Sequence, residues 1–229
     1  MDGRIITVDG DIAVALRRNA RARRMTLRVS RVDGGVVLTL PPRVTDAEGA
    51  AFAASRAGWL RQARAAMPAG QVAAFGAALP VEGVPLALTP APVRSARVEG
   101  GALLLPQTRA PGPVAEAWLK HLARDRLAAS CDRHAAALGR GFAAITLRDT
   151  RSRWGSCTSD GRLMFSWRLA MAPPEVLDYV AAHEVAHLAH MDHSPRFWGT
   201  VERLLPGYAA HRAWLRRHGG GLMAWRFRA

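Results

Sequence analysis

The chain has 229 residues, about half of them apolar, which suits one large domain or two small ones and excludes a wholly disordered protein. Its formal net charge is +14, and nearly all of the positive charge is arginine. This balance is typical of proteins that contact polyanions such as nucleic acid, an anionic membrane surface or an acidic protein, and it is equally typical of an arginine-rich solvated surface.

Cysteine content and apolar runs bear on the compartment. Cys131 and Cys157 are too few for a disulfide framework, which favours a reducing, cytoplasmic location. Residues 1–10 lack the apolar stretch of a signal peptide, and no window approaches 18 uninterrupted apolar residues. We therefore expect no membrane span.

Residues 1–110 are predicted to form a β-rich N-terminal region, and no internal repeat is evident in the sequence of the chain. Alternating apolar and polar residues at 25–30 and 36–40 flank Asp33-Gly34, which predicts a β-hairpin. Further along, prolines split the apolar runs into short edge strands or loops. A segment rich in proline and glycine at 108–113 marks the predicted boundary with a second domain, 111–229.

Between these strands one helix is expected. Thr45, followed three residues later by Glu48, is typical of a capping box. The helix that it starts is expected to run to about Ala66 and to end before Pro68.

The second domain alternates helical and strand periods, so the predicted fold class is α+β with a small antiparallel sheet. The predicted elements are a helix over 114–138, a strand over 145–149, a hairpin of 153–157 and 162–169, a helix from Pro173 to about His190, and a last helix from Ser194. The helix that starts at Pro173 is apolar on most sides and is therefore expected to be central and buried.

This buried helix carries the motif His183-Glu184-Val185-Ala186-His187, the pattern H-E-x-x-H. Residues four apart lie on one helical face, so both imidazoles can bind one ion. Glu184 lies beside that ion and can take a proton from a water molecule there. Burying these three side chains without a metal would leave polar groups unpaired, at a cost of several kcal/mol. We therefore predict a zinc site with Glu184 as general base.

A catalytic zinc needs a third protein ligand, and both His190 and His193 are candidates. A straight helix would place His190 about 10 Å along its axis from His183, too far to share an ion easily. We favour His193, which the chain can bring back if the helix stops near Met191. Asp192 is expected to adopt the left-handed conformation at that stop.

Other polar residues are weaker candidates. Arg153, Tyr208 and His211 could stabilise an oxyanion, although a surface role is expected for each. Cys157 could be a fourth ligand or a switch, but a small buried hydrophobic residue is the simpler interpretation. His121 and His134 are expected to face solvent. The strand Leu163–Leu169 could pair with an extended peptide by strand addition.

Several segments together resemble the YgjP-like metallopeptidase family, which is similar to the SprT and Spartan zinc proteases within the zincins. The resemblance is carried by 148–157, 165–169, 172–180, 183–187 and 193–198, and by 17–18, 23–27 and 38–42 in the N-terminal half. It implies a zincin-like catalytic domain over 111–229, with zinc bound by His183, His187 and His193 and with Glu184 as the base.

Three functions are compatible with these residues. The first is a zinc metallopeptidase acting on peptides or proteins, with nucleic acid as a further partner of its basic surface. The second is a zinc hydrolase of nucleotide phosphoanhydrides, although no phosphate-binding glycine loop is visible. The third is a nucleic-acid-binding module with a structural zinc, which would not need Glu184. In that module the polyanion would contact the arginines at 17, 18, 21, 23, 24 and 28.

Overall fold

The computed structural model describes residues 4–30, 34–65, 70–150 and 153–228. Backbone contacts divide the chain into two compact units, Met1–Ala69 and Gly70–Ala229. The domains predicted from the sequence, 1–110 and 111–229, remain a prediction. No helix in the described ranges is long and apolar enough to cross a lipid bilayer.

A four-stranded sheet forms the base of the first unit. Its strands are β1 (Ile5–Val8), β2 (Ile12–Arg18), β3 (Thr26–Val29) and β4 (Val36–Leu40), in the spatial order β1-β2-β4-β3. β3 and β4 pair antiparallel as expected for the predicted hairpin, of whose turn Asp33 lies outside the described residues, while β2 and β4 pair parallel. Alternate residues of β2 and β4 are buried, so one face of the sheet carries the core of this unit.

The helix predicted from Thr45 is divided into two. Thr45 and Glu48 form the expected capping box at the start of α1 (Asp46–Ser55). Arg56 then leaves helical geometry with φ of −109° and ψ of 11°, and α2 (Ala57–Ala65) follows. The new direction lets Ala53 of α1 and Leu60 of α2 both be fully buried in the core of the first unit.

The second unit begins with a sheet of the same topology. Its strands are β5 (Ala78–Val81), β6 (Val84–Ala91), β7 (Arg97–Glu99) and β8 (Ala102–Pro106), in the order β5-β6-β8-β7 with a parallel central pair. Both sheets open with a turn made by an acidic residue and a glycine at positive φ, Asp9-Gly10 in the first and Glu82-Gly83 in the second. Each sheet is followed by a helix. The expectation of no internal repeat is therefore wrong at the level of structure.

A long helix and a three-stranded sheet carry the chain toward the metal motif. They are α3 (Pro111–Leu138), β9 (Ala144–Arg148), β10 (Gly155–Cys157) and β11 (Arg162–Ser166), with strand order β10-β11-β9. β10 and β11 form the predicted antiparallel hairpin, but β9 pairs parallel with β11. The fold is α+β as predicted, while the prediction of an antiparallel sheet is wrong because β9 pairs with β11 and not with β10, the strand that follows it in the chain.

The last part of the unit is helical. A 3-10 helix (Trp167–Met171) replaces the end of the predicted strand, and α4 (Pro174–Ala186), α5 (Pro195–Leu204) and α6 (Tyr208–Met223) follow. α6 was not predicted, and α4 ends at Ala186 although its helix was predicted to continue to about His190. Buried Arg168 ties the 3-10 helix to the C-terminal segment, because its guanidinium donates to Asp149 and to the carbonyls of Leu222 and Trp225.

Candidate metal centre

Three histidine rings converge at the end of α4. His183 and His187 lie one helical turn apart, and His193 approaches from the segment between α4 and α5. One nitrogen of each ring lies within 4.8 Å of the others, and the Nε2 atoms of His183 and His193 are 3.2 Å apart. His187 is buried, His183 is half-buried and His193 is exposed. The cluster is therefore open to solvent on the side of His193.

The end of α4 fixes the orientation of His187. His187 keeps right-handed helical angles, with φ of −64° and ψ of −20°, but the regular helix ends at Ala186. Its Nδ1 lies 2.9 Å from the carbonyl oxygen of His190. Since a carbonyl only accepts hydrogen bonds, Nδ1 carries the proton and Nε2 of the neutral ring keeps a free lone pair.

The turn that returns His193 differs from the predicted one. Asp192 does not adopt positive φ, which among the described non-glycine residues occurs only at Asp9 and Glu82. Instead the Asp192 carboxylate accepts a hydrogen bond from the Ser194 N–H at 3.1 Å, and Ser194 then caps α5. An Asx turn at Asp192 therefore reverses the chain, in place of the expected residue in the left-handed conformation.

His190, the alternative third ligand, is not a member of the three-histidine cluster among the described residues. It contributes its backbone carbonyl to His187 instead of its ring. The adjoining carbonyl of Leu188 accepts a hydrogen bond from Arg140 at 2.8 Å, which holds the same turn from the end of α3. The rings that the sequence selected are the ones that the structure brings together.

Aromatic side chains surround the cluster. The buried ring of Phe197 lies 4.9, 4.4 and 4.8 Å from the rings of His183, His187 and His193, measured between centroids. Trp198 lies 5.6 Å from His183 and 5.8 Å from His193. These rings restrict the imidazoles to a few orientations, so the nitrogens are pre-positioned.

Burial controls the charge of the histidines. Burial, reinforced by the neighbouring His187, His193 and Arg212, lowers the pKa of His183 to about 3. Burial also lowers the pKa of His187. Both rings are therefore neutral at pH 7, which is the form that binds a metal. The buried Nδ1 of His183 has no hydrogen-bond partner among the described residues.

Glu184 follows His183 on α4 and lies beside strand β10. Its side chain is buried, and burial raises its pKa to about 8, against the opposing charge of Arg153. The α-carbon of Gly155 approaches it so closely that a methyl group there would lie 2.5 Å from Glu184 Oε1. The absence of a side chain at Gly155 is thus what leaves room for the carboxylate.

The weaker candidates from the sequence occupy different environments in the structure. Arg153 is exposed but near enough to influence Glu184, and the Tyr208 ring stacks on Trp198. His211 makes no hydrogen bond or ring contact with the cluster within the described part of the chain. Cys157 is half-buried beside β11, burial raises the pKa of its thiol to about 11, and it does not join the cluster.

His121 faces solvent as predicted, whereas the same expectation for His134 is wrong. Buried His134 and Ser130 on α3 both donate to one carboxylate oxygen of Asp178 on α4, His134 at 3.0 Å. Burial alone would raise the pKa of Asp178, but these hydrogen bonds outweigh it and lower that pKa. This network, which ties α4 to α3, was not anticipated.

Strand addition at Leu163–Leu169 is excluded by the pairing. β11 is the central strand of its sheet, paired with β10 on one side and with β9 on the other, so its backbone groups are already used. In that sheet β10 is the edge strand beside Glu184. An extended chain could pair with either edge strand, β9 or β10, and β10 is the one that lies beside Glu184.

The model of the YgjP-like metallopeptidase domain matches residues 23–218. The chain belongs to the YgjP-like metallopeptidase family. This family implies a hydrolase with a metal ion and with peptide or protein substrates. It lends no support to nucleic-acid binding, and the cytoplasmic location remains a prediction.

Similarity to other proteins is low. The solved structure of the metallopeptidase zymogen of Pyrococcus abyssi abylysin aligns with 42% of this chain and 92% of its own, at 24% identity and a TM-score of 0.35. This likeness is too weak to establish a shared fold. No curated protein matches the chain significantly.

Proposed function

We propose that this YgjP-like protein is a zinc metallopeptidase with a zincin-like catalytic domain, in which α4 is the metal-binding helix. His183, His187 and His193 would hold the zinc, and Glu184 would act as general base. The observation that carries the proposal is the convergence of the three imidazoles, with His183 and His193 Nε2 atoms 3.2 Å apart.

The donor set fits zinc. Three neutral imidazoles with an open fourth position form a common catalytic zinc site. Zinc–nitrogen bonds of about 2.0–2.1 Å in tetrahedral geometry separate the nitrogens by about 3.3 Å. The 3.2 Å between His183 and His193 agrees with that separation. Without a cation, one of these two rings would have to carry its proton on Nε2 and donate it to the other, whereas a cation between them accepts a lone pair from both.

A bound zinc supplies electrophilic activation of the scissile carbonyl and brings the pKa of water toward neutrality. Glu184 would accept the proton of the attacking water and later return it to the leaving amine. Burial favours the protonated form of Glu184, and a cation in the adjoining cluster favours the carboxylate form that the base requires.

The edge strand β10 would bind the substrate. Its three residues lie between Arg153 and the turn at 159–161, with Gly155 in direct contact with Glu184. A peptide that pairs with β10 in extended form would have its backbone aligned past the base. The short strand offers only a few hydrogen bonds, so we expect unfolded segments to be better substrates than folded proteins.

The test is cleavage of unfolded casein by the zinc-loaded protein and by its Glu184→Gln variant, with zinc content measured for both. Glu175→Gln is the matched control, because Glu175 is exposed at the start of the same helix. We expect the parent and Glu175→Gln to cut, and Glu184→Gln to bind zinc without cutting. Equal cleavage by all three, or no cleavage by a fully zinc-loaded parent, would contradict the proposal.

A further inference from the structure

Beside the three-histidine cluster, three aromatic rings from three helices form a stack. Tyr179 of α4 and Tyr208 of α6 have ring centroids 6.0 Å apart and planes 13° from parallel. Tyr208 in turn lies 5.4 Å from Trp198 of α5, at 12°. The stack therefore restricts Trp198 to one orientation.

The Trp198 ring also contacts a cation. The guanidinium carbon of Arg212 lies 4.4 Å above the Trp198 ring. Arg212 follows Tyr208 by one turn of α6, so the same helical face presents the ring and the charge. Stacking on tryptophan uses the flat face of a guanidinium and leaves the N–H groups at its edge free to donate.

The stacked arginine is close to the candidate metal centre. The Trp198 ring that supports Arg212 is itself 5.6 Å from the His183 ring and 5.8 Å from the His193 ring. The positive charge of Arg212 contributes to the low pKa of His183, which is consistent with that proximity. Arg212 and His193 are both exposed, so a ligand at the open side of the cluster can reach the guanidinium.

No carboxylate neutralises this charge among the described residues, and α6 contains no aspartate or glutamate. Other arginines of this unit that are held in place, such as Arg126 and Arg168, are held by Glu82 and Asp149. Arg212 lies over an aromatic ring and has no carboxylate partner within the described ranges, so its N–H groups have no protein acceptor there. A metal ion in the cluster would add further positive charge nearby and would strengthen attraction for an anion.

We propose that Arg212, held over the Trp198 ring, binds a carboxylate of the peptide substrate next to the three-histidine cluster and so sets a preference for acidic substrates. The inference rests on the proposed peptidase function. The carboxylate belongs either to an aspartate or glutamate side chain near the scissile bond or to the C-terminus of the peptide. A planar guanidinium can bind either with two parallel hydrogen bonds.

The test uses short alanine-based peptides in which a single glutamate or glutamine is placed at each position in turn, as free acids and as C-terminal amides. Zinc-loaded parent, Arg212→Gln and Arg217→Gln are compared. Arg217 is an exposed arginine of the same helix without a stacking partner among the described rings, so it controls for net charge.

We expect kcat/KM of the parent to be about tenfold higher when a carboxylate occupies one particular position. Arg212→Gln should lose this preference, Arg217→Gln should keep it, and Arg212→Lys should keep part of it because the charge remains without the planar fork. Dependence on glutamate would identify a side-chain carboxylate, and dependence on the free acid would identify the C-terminus.

Binding to the zinc-loaded Glu184→Gln variant, with and without Arg212→Gln, tests the inference independently of hydrolysis. Anisotropy of labelled peptides should show about tenfold tighter binding of the acidic peptide, lost on removal of Arg212. Equal affinity for glutamate and glutamine peptides, or no binding of any, would overturn the inference. So would a uniform loss of kcat across all peptides in Arg212→Gln. Failure of the parent to cut casein would count against the peptidase proposal alone.

Discussion

Replacing Gly155 by alanine should disable Glu184 while leaving the metal ligands in place. The added methyl carbon would lie 2.5 Å from Glu184 Oε1, 2.6 Å from Cγ and 2.8 Å from Cδ. To reach an ordinary contact distance of 3.4 Å the carboxylate has to retreat by about 1 Å. A displacement of that size in a catalytic group reduces the rate by about 100-fold. Overpacking should also destabilise the fold by about 1–3 kcal/mol.

The assay is the initial rate of casein cleavage by zinc-loaded Gly155→Ala, with zinc content and thermal unfolding measured in parallel. Gly199→Ala is the matched control, because a methyl group at Gly199 of α5 meets no atom within 4 Å. We expect bound zinc in both variants and a loss of rate in Gly155→Ala alone. A zinc-loaded Gly155→Ala within about threefold of the parent rate would refute the placement of the base against β10.

Three further predictions concern stability. Asp178→Asn should lower the free energy of unfolding by about 2 kcal/mol, since the carboxylate accepts from two buried donors. The pKa of Asp178 is lowered in the folded protein, so its contribution to stability is complete above the unfolded pKa of about 3.9 and is lost as the pH falls through the folded pKa. The free energies of unfolding of parent and variant, measured by urea titration, should therefore converge in acid. Arg168→Leu should cost about 3 kcal/mol by the same measurement, because it leaves Asp149 and two C-terminal carbonyls without their donor. Free zinc at 100 times its dissociation constant should stabilise the parent by about 2.7 kcal/mol, an increment that EDTA removes in calorimetry.

The local features of the site could be predicted because helix geometry determines them. The spacing of His183 and His187 places both on one face of any helix, and the length of a straight helix disfavours His190. The choice of His193 therefore followed from elementary distances. The conformation of Asp192 did not, because an Asx turn and a left-handed residue reverse the chain equally well.

Other features depend on contacts between segments distant in sequence. Nothing local in the sequence indicates that Gly155 lies against Glu184 or that Arg212 stacks on Trp198, since packing between elements decides both. The burial of His134 could have been predicted from the sequence, because His134 continues the helical spacing of Leu127 and Cys131 on the buried face of α3.

The structural repeat also left a trace in the sequence. Val8-Asp9-Gly10 and Val81-Glu82-Gly83 both precede a strand with alternating apolar residues, and each sheet ends before a helix. The similarity between the two sequences is weak because the arginines on the surface and the prolines in the strands occur at different positions in the two sheets. Only the common strand order and positive φ values make it plain.

Anomalous X-ray diffraction at the zinc edge, from crystals of the zinc-loaded protein, tests the central claim most directly. We predict one strong peak about 2.0–2.1 Å from a nitrogen of each of His183, His187 and His193, with Glu184 beside the metal but not bound to it. A peak coordinated by the Cys157 sulfur or by Glu184, or the absence of a peak between the three histidines, would contradict the proposed metal centre.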